Sequence, residues 1–444
     1  MPTLAVGAAT ANLNPPLGTT IPGYFEVRRA TGYHDDLLAR AVYIAAEPPL
    51  ALVALDTISL RRELVVAIRE QAARELGIPA ERVFVCATHT HTGGPSSAPF
   101  LTNDEDSAYL QTLVERSVEA LAAARERAQP AALGVASAQV PGLQFNRRYW
   151  MREGSVRTNP GIQNPEVIRP AGPVDARMQL LVFRPLAGGP AAVLVNYGLH
   201  CDTVGGTEIS ADFPGVMTQR LQAALGAETT VLFLQGAAGD INHIDVLGGE
   251  APAEHSHELF MSTHRTAELT RAIGETLAAA ALDLLSGMKF LEDWSVAEAH
   301  ATLTLATRQP TEAQLAHARA LLETHQPEDL HEADDIYDYE ALRMSQEPET
   351  EATLELQVLR LGPAALVGIP CEIFTELSQL IQAQSPFAET GIVELANGSE
   401  GYLPTARAFA EGGYEIRLAR SSKLVPEAGD TIVAKATELL ASLA

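Results

Sequence analysis

Apolar and polar positions along the chain alternate between two periods, and the alternation sets the order of its elements. Short apolar runs of strand length occur at Leu38–Ala45 and Leu50–Leu55, either side of Glu47–Pro48–Pro49, which reads as a hairpin. Further strand-like runs are Val83–Cys86, Ala132–Val140, Met178–Phe183, Ala191–Val195, Thr230–Leu234, Glu298–Thr307, Leu354–Leu361, Ala364–Gly368 and Gly391–Leu395. Helical periodicity covers Arg62–Leu76, closed by Gly77, and a long Ala-rich stretch to about Arg127 that Asp104 or Asp106 would cap. It returns over Phe213–Leu225, Thr266–Leu285, the stretch ending at Ile381, and Ala428–Leu443. Strands alternating with helices predict an α/β fold with a mostly parallel central sheet flanked by helices.

Three segments break the alternation. The polar, Pro- and Gly-punctuated segment Asn146–Pro173 reads as a long functional loop. His243–His264 is a second loop, whose His255-Ser256-His257 reads as solvated rather than as a second metal site. From Thr311 to Met344 the helical pattern is charged and rich in acids, so residues 308–352 are expected to form an acidic helical insertion, with 325–351 a solvated face or flap. No linker or internal repeat divides the 444 residues, which predicts one domain over the whole length.

Composition narrows the classes. With 46% hydrophobic and 20% charged residues the chain is globular, and no apolar run reaches membrane-spanning length. A formal charge of −25 disfavours nucleic acid and anionic membrane surfaces. Three cysteines without a CxxC argue against a disulfide framework, and the N-terminus has no basic n-region, so the cytoplasm is expected. The phosphate-loop, nucleophile-elbow and dinucleotide glycine motifs are missing, so nucleotide and serine-hydrolase readings fall away. The sequence does not fix the oligomeric state; a homo-oligomer is among the options.

The candidate chemistry lies at strand exits, where α/β sheets place their ligands. His89 and His91 follow Val83–Cys86 two residues apart, and on extended backbone both would share a face. His200 follows the 191–195 strand, Glu372 follows Ile369-Pro370-Cys371, and Tyr402 sits in a Gly-rich loop after the last strand. Imidazoles and a carboxylate gathered in one place suit Zn²⁺ with a position left for water. Singly, each residue has a plainer reading: a histidine at a solvated strand end, a core imidazole, a first-turn carboxylate, a packing tyrosine. Arg147 is either an oxyanion-binding group or a surface arginine, and Asp56 and Asp240 either orient imidazoles or cap turns. Cys201 and Cys371 are immediate neighbours of His200 and Glu372, so a metal-facing ligand turns its cysteine into the core. The cysteines are expected to be inert, and a thiol-dependent enzyme, in which Cys86→Ser would abolish activity while chelation would not, is the third reading.

As a set, ATHTHTGG (87–94), FNRR (145–148), His200, QGAAGDIN (235–242), IPCEIFTEL (369–377), GYLPT (401–405) and GGYE (412–415) resemble the neutral/alkaline non-lysosomal ceramidase family. VGAATANLNPP (6–16) and HDDLLARA (34–41) are similar to it as well. The resemblance implies a catalytic zinc held by His89, His200, Glu372 and Tyr402, a zinc-bound water attacking an amide carbonyl, His91 handling protons, and Arg147 contacting substrate. Gly236 and Ala237 stand where the family has a hydroxyl residue and Asn, and neither a secretion signal nor a C-terminal β-rich domain is recognised. The expected activity is hydrolysis of an N-acyl amide, a ceramide-like lipid or a related amide. The alternatives are a smaller soluble amide, ester or lactone as substrate, or a metal-binding scaffold without activity.

Overall fold

The computed structural model describes residues 3–97, 106–189, 192–248, 264–327, 330 and 332–444. The His255-Ser256-His257 segment therefore lies outside the described residues. The larger sheet runs Thr230–Gln235, Ala192–Tyr197, Arg177–Pro185, Gln129–Gln139, Ala5–Asn12, Leu38–Ile44, Leu50–Leu55, Val83–Ala87, with Phe290–Leu291 added beside 129–139. A second sheet runs Val296–Ala306, Glu351–Leu361, Ala364–Ile369, Glu389–Glu394.

The two sheets lie face to face, and alternation along each strand shows it. Leu52, Ala54, Leu181 and Phe183 enter a central core shared with Leu359, Leu361, Leu366 and Val393 of the second sheet. Their neighbours Val53, Leu55, Leu180 and Val182 face outward into helix-covered cores. Helices Arg62–Leu76 and Ser107–Glu126 cover one half of the large sheet, and Asp212–Leu225 and Ala267–Gly287 the other. Thr375–Gln384 and Ala428–Ser442 cover the second sheet. With both faces covered, strands such as 50–55, 192–197 and 230–235 are buried at every position, which is why they read as continuous apolar runs.

The α/β class holds, but the expected mostly parallel sheet does not. Five of the seven pairings along the main path of the large sheet, from 192–197 across to 50–55, are antiparallel. The short connection between 38–44 and 50–55 can only make a hairpin, and that kind of connection fixes the antiparallel direction. Parallel pairing occurs between 50–55 and 83–87, between 192–197 and 230–235, and between 364–369 and 389–394. A helix lies between the strands of each such pair in sequence.

Helix boundaries agree closely with periodicity. The first helix spans 62–76 and ends on Gly77 in the left-handed region, and Asp106 caps the second by accepting from the Ala108 and Tyr109 amides. The segment expected to be one long loop after Asn146 is instead a small antiparallel sheet, Val156–Thr158, Arg148–Met151, Val167–Pro170. Its strands are too short and too interrupted for periodicity to register. The acidic stretch forms two helices, Glu312–Leu321 and Ala333–Gln346, between the paired strands 296–306 and 351–361.

Candidate functional site

Each parallel strand pair sends its C-terminal end to the same place. Val83–Ala87 delivers His89 and His91, Ala192–Tyr197 delivers His200, and Ala364–Ile369 delivers Glu372. The three imidazoles are buried, and one ligating atom from each lies within 4.8 Å of the others. His89 Nε2 stands 3.0 Å from His200 Nε2 and 3.5 Å from Glu372 Oε2. Two buried nitrogens and a carboxylate oxygen this close need a proton or a cation between them. Bonds of 2.0–2.1 Å at tetrahedral angles place ligand atoms roughly 3.3 Å apart, so the cluster is of the right size for one ion.

The shared-face argument for His89 and His91 does not describe how they converge. The strand ends at Ala87, and His89 takes a left-handed backbone conformation with φ of 69°. Its amide donates to the Thr57 carbonyl and its Nδ1 to the Ile58 carbonyl at 2.7 Å. A carbonyl can only accept, so Nδ1 carries the proton and Nε2 is left to ligate. A non-glycine residue in this region is uncommon and is held by its surroundings, as at many functional sites. His91 then turns back, its amide bonded to the Cys201 carbonyl and its ring 5.0 Å from that of His200. Among the described residues neither ring nitrogen of His91 has a hydrogen-bond partner, and Glu372 Oε2 has none. Buried polar atoms left this way in the middle of a histidine cluster are suited to binding a cation.

Burial pushes the His91 imidazole down to about 3 and drives His200 well below its ordinary value, with His89 adding to both. Both rings are therefore neutral near pH 7, the form that binds metals. Burial also works against a proton on His89, but the Glu372 carboxylate outweighs it and raises the imidazole. The Glu372 carboxyl, which burial alone would raise, is held low by His89 and then Arg147.

Tyr402 reaches the centre through backbone pairing. Glu372–Ile373 pairs in parallel with Tyr402–Leu403, in register Glu372 to Tyr402. Burial, then Glu372 and Tyr414, raise its phenol well above the usual range, while the positive charge of Arg147 pulls the other way. Arg147 is itself buried, donating to Glu415 Oε1 at 2.8 Å and to the Gly239 carbonyl at 2.8 Å. It stands beside the centre with its guanidinium already engaged.

Among the described residues Asp56 and Asp240 have no imidazole as a hydrogen-bond partner. Asp56 pairs with Arg40 and accepts from the Leu38 amide. Asp240 accepts from Thr375 and Asn146. The three thiols are buried, each in a different core cluster, and burial pushes Cys86 up to about 12. All three are inert core residues.

Two residues were missed. Glu394 ends the strand 389–394 fully buried and accepts from the Ala238 and Ile373 amides, tying the Gly236–Asp240 turn to the residue after Glu372. A buried acid ending an otherwise apolar strand was the available signal. Tyr337, from the acidic stretch, lines the cleft over the centre and meets Tyr414 edge-on at 6.1 Å. Ile336, Tyr337, Ala341 and Met344 form a buried stripe at helical spacing, which the acids around them masked. The cleft holds a cavity of about 80 Å³; among the described residues its wall includes Ser59, Ser399, Ser421 and Arg417 beside the histidines.

No family model and no curated protein sequence matches the chain. Solved structures do. The neutral ceramidase from Pseudomonas aeruginosa aligns with a TM-score of 0.74 at 17% identity, over 100% of this chain and 75% of that one. A ceramidase complexed with C2 aligns at 0.72, also 17% identical, with the same coverage. The chain has the neutral-ceramidase fold.

Proposed function

We propose that the chain is a zinc-dependent amidohydrolase that cleaves N-acyl amides at the His89–His200–Glu372 centre. The observation that carries this reading is the convergence, at the ends of three parallel strand pairs, of three buried imidazoles and a carboxylate oxygen without a hydrogen bond among the described residues. His89, His200 and Glu372 would hold the ion, and Tyr402, whose backbone pairs with Glu372, would be a further ligand. A zinc ion there supplies a water of lowered pKa and polarises the carbonyl. His91, whose ring nitrogens have no hydrogen-bond partner among the described residues, would accept a proton at one of them and pass it to the leaving amine. Arg147, anchored on Glu415 and Gly239, would steady Tyr402 from its place 5.3 Å from the ring centroid.

The resemblance in sequence motifs and the likeness in fold both support an amide of the ceramide type. The small cavity of about 80 Å³, with Ser399, Ser421 and Arg417 on its wall, favours the second reading, a smaller soluble amide or ester. His91 turned toward the cluster argues against a scaffold that merely binds metal. The test is hydrolysis of a fluorogenic N-acylsphingosine and of a short-chain acyl amide, each with zinc and with a chelator. Chelator-sensitive turnover of either supports the proposal; turnover of both unchanged by chelation, or of neither with zinc bound, rejects it.

A further inference from the structure

The arginines around the centre differ in how their charge is matched. Arg265 pairs with the buried Asp202, Arg147 with the buried Glu415, and Arg420 with the fully buried Glu340 in a two-pronged contact. Arg28 spends its guanidinium on the carbonyls of Gly206, Pro22 and His91. Arg417 is the exception. Its ion-pair partner is Asp334 at 2.6 Å, and that side chain is 82% exposed. Exposed pairs of this kind contribute roughly 0–1 kcal/mol, so the guanidinium is held loosely.

Arg417 is nevertheless placed with care. It lines the same cleft as His89, His91, Glu372 and Tyr402, and among the described residues it is the cation of that lining. Its Cζ lies 4.2 Å from the ring centroid of Tyr337, which fixes its direction without neutralising it. Ser399, Ser421 and Ser422 add hydroxyls along the same wall. In a chain of net charge −25, an arginine on the wall of this cleft, with the exposed Asp334 as its ion-pair partner among the described residues, suits a small anion. The helix 333–346 supplies both the ring that aims it and the carboxylate that holds it in the free protein.

We infer that Arg417 binds a carboxylate on the substrate, so that the amides cleaved at this centre are short N-acyl amino acids or similarly anionic acyl compounds. The inference rests on the hydrolase reading above and narrows its substrate class. An incoming carboxylate displaces Asp334 and is bound by the guanidinium in two-pronged fashion, with the serine hydroxyls donating to it. The long neutral base of a ceramide offers nothing for that charge.

The test measures affinity and turnover for N-butanoylglycine and its neutral isostere N-butanoylglycinamide, using zinc-loaded protein. Affinity is followed by calorimetry, turnover by release of the amine. The wild type prefers the carboxylate. Arg417→Gln lowers the carboxylate-over-amide affinity ratio about 10- to 100-fold, as loss of a charge-assisted contact does, and Arg417→Lys recovers part of it. Asp334→Asn, at an exposed position that leaves folding intact, raises the ratio roughly 1.5- to 5-fold. A wild-type ratio near one, or the same ratio in Arg417→Gln, overturns the inference. If both compounds are hydrolysed without preference, or only a long-chain N-acylsphingosine is, this inference fails and the hydrolase reading stands. If the preference and its Arg417 dependence appear without any hydrolysis, the hydrolase reading fails and the anion site stands.

Discussion

Glu415 is where removing one carboxylate should cost the fold most. It is fully buried and accepts from Arg147 Nε at 2.8 Å, Arg148 Nη1 at 3.1 Å and Thr158 Oγ1 at 2.9 Å. Both arginines are buried themselves. Glu415→Ala therefore strips two buried guanidiniums of their main counter-charge. Arg147 keeps the Gly239 carbonyl, and Arg148 keeps the Gly412 carbonyl and a longer contact to Glu411 at 3.4 Å. Breaking a buried pair from one side costs about 3–5 kcal/mol, and with two cations exposed to the loss the upper half of that range is expected. Glu415→Gln keeps an acceptor oxygen but not the charge, and should cost about half as much. The two tryptophans, Trp150 and Trp294, give a fluorescence signal for urea unfolding. Because the Arg147 guanidinium also lies 5.3 Å from the Tyr402 ring centroid, turnover should fall in both variants at temperatures where they remain folded. A loss below about 1 kcal/mol in Glu415→Ala would refute the reasoning, since it would mean that water or local repacking solvates both guanidiniums.

His91→Ala should keep its zinc and lose roughly 10²–10⁴-fold in turnover, the usual worth of acid–base help; zinc loss in this variant would make His91 a ligand. Gly401→Ala should destabilise the chain by more than about 2 kcal/mol and displace Tyr402. The residue has φ of 73°, and a Cβ would lie 1.8 Å from the Ser421 carbonyl oxygen; unchanged unfolding and turnover would contradict this. Burial lifts the Asp212 carboxyl to about 6, against bonds from Thr203 and Phe213 that lower it. A folded-state value above the unfolded one stabilises below about pH 4 and is lost as pH climbs through 6. Asp212→Asn should therefore gain on the wild type by up to roughly 3 kcal/mol between pH 4 and pH 7, read as the difference in unfolding free energy; a pH-independent difference would contradict it.

The sequence exposed the strand exits because burial on both faces turns a strand into an unbroken apolar run, and the polar residue that follows stands out. His89, His200 and Glu372 were found in that way. Strand direction was hidden. Val193 and Leu181 carry the same apolar signal in either orientation, and pairing is decided by which connections cross the sheet. The convergence of His89 and His91 was anticipated for a reason that does not hold, since the left-handed turn at His89 rather than an extended backbone brings the rings together. Tyr402 was reached through a motif resemblance; its pairing to Glu372 is a contact between residues 30 apart in number, which periodicity cannot register. Tyr337 was hidden among the acids of its own helix.

The central claim is that these residues form one metal centre, and zinc content measures it most directly. Wild-type protein and His200→Ala, purified without chelators and checked for native unfolding behaviour, would be assayed side by side for bound metal. About one zinc per chain in the wild type and almost none in His200→Ala is the predicted result. Equal content in the two proteins, or none in a folded wild type supplied with zinc, would contradict the account.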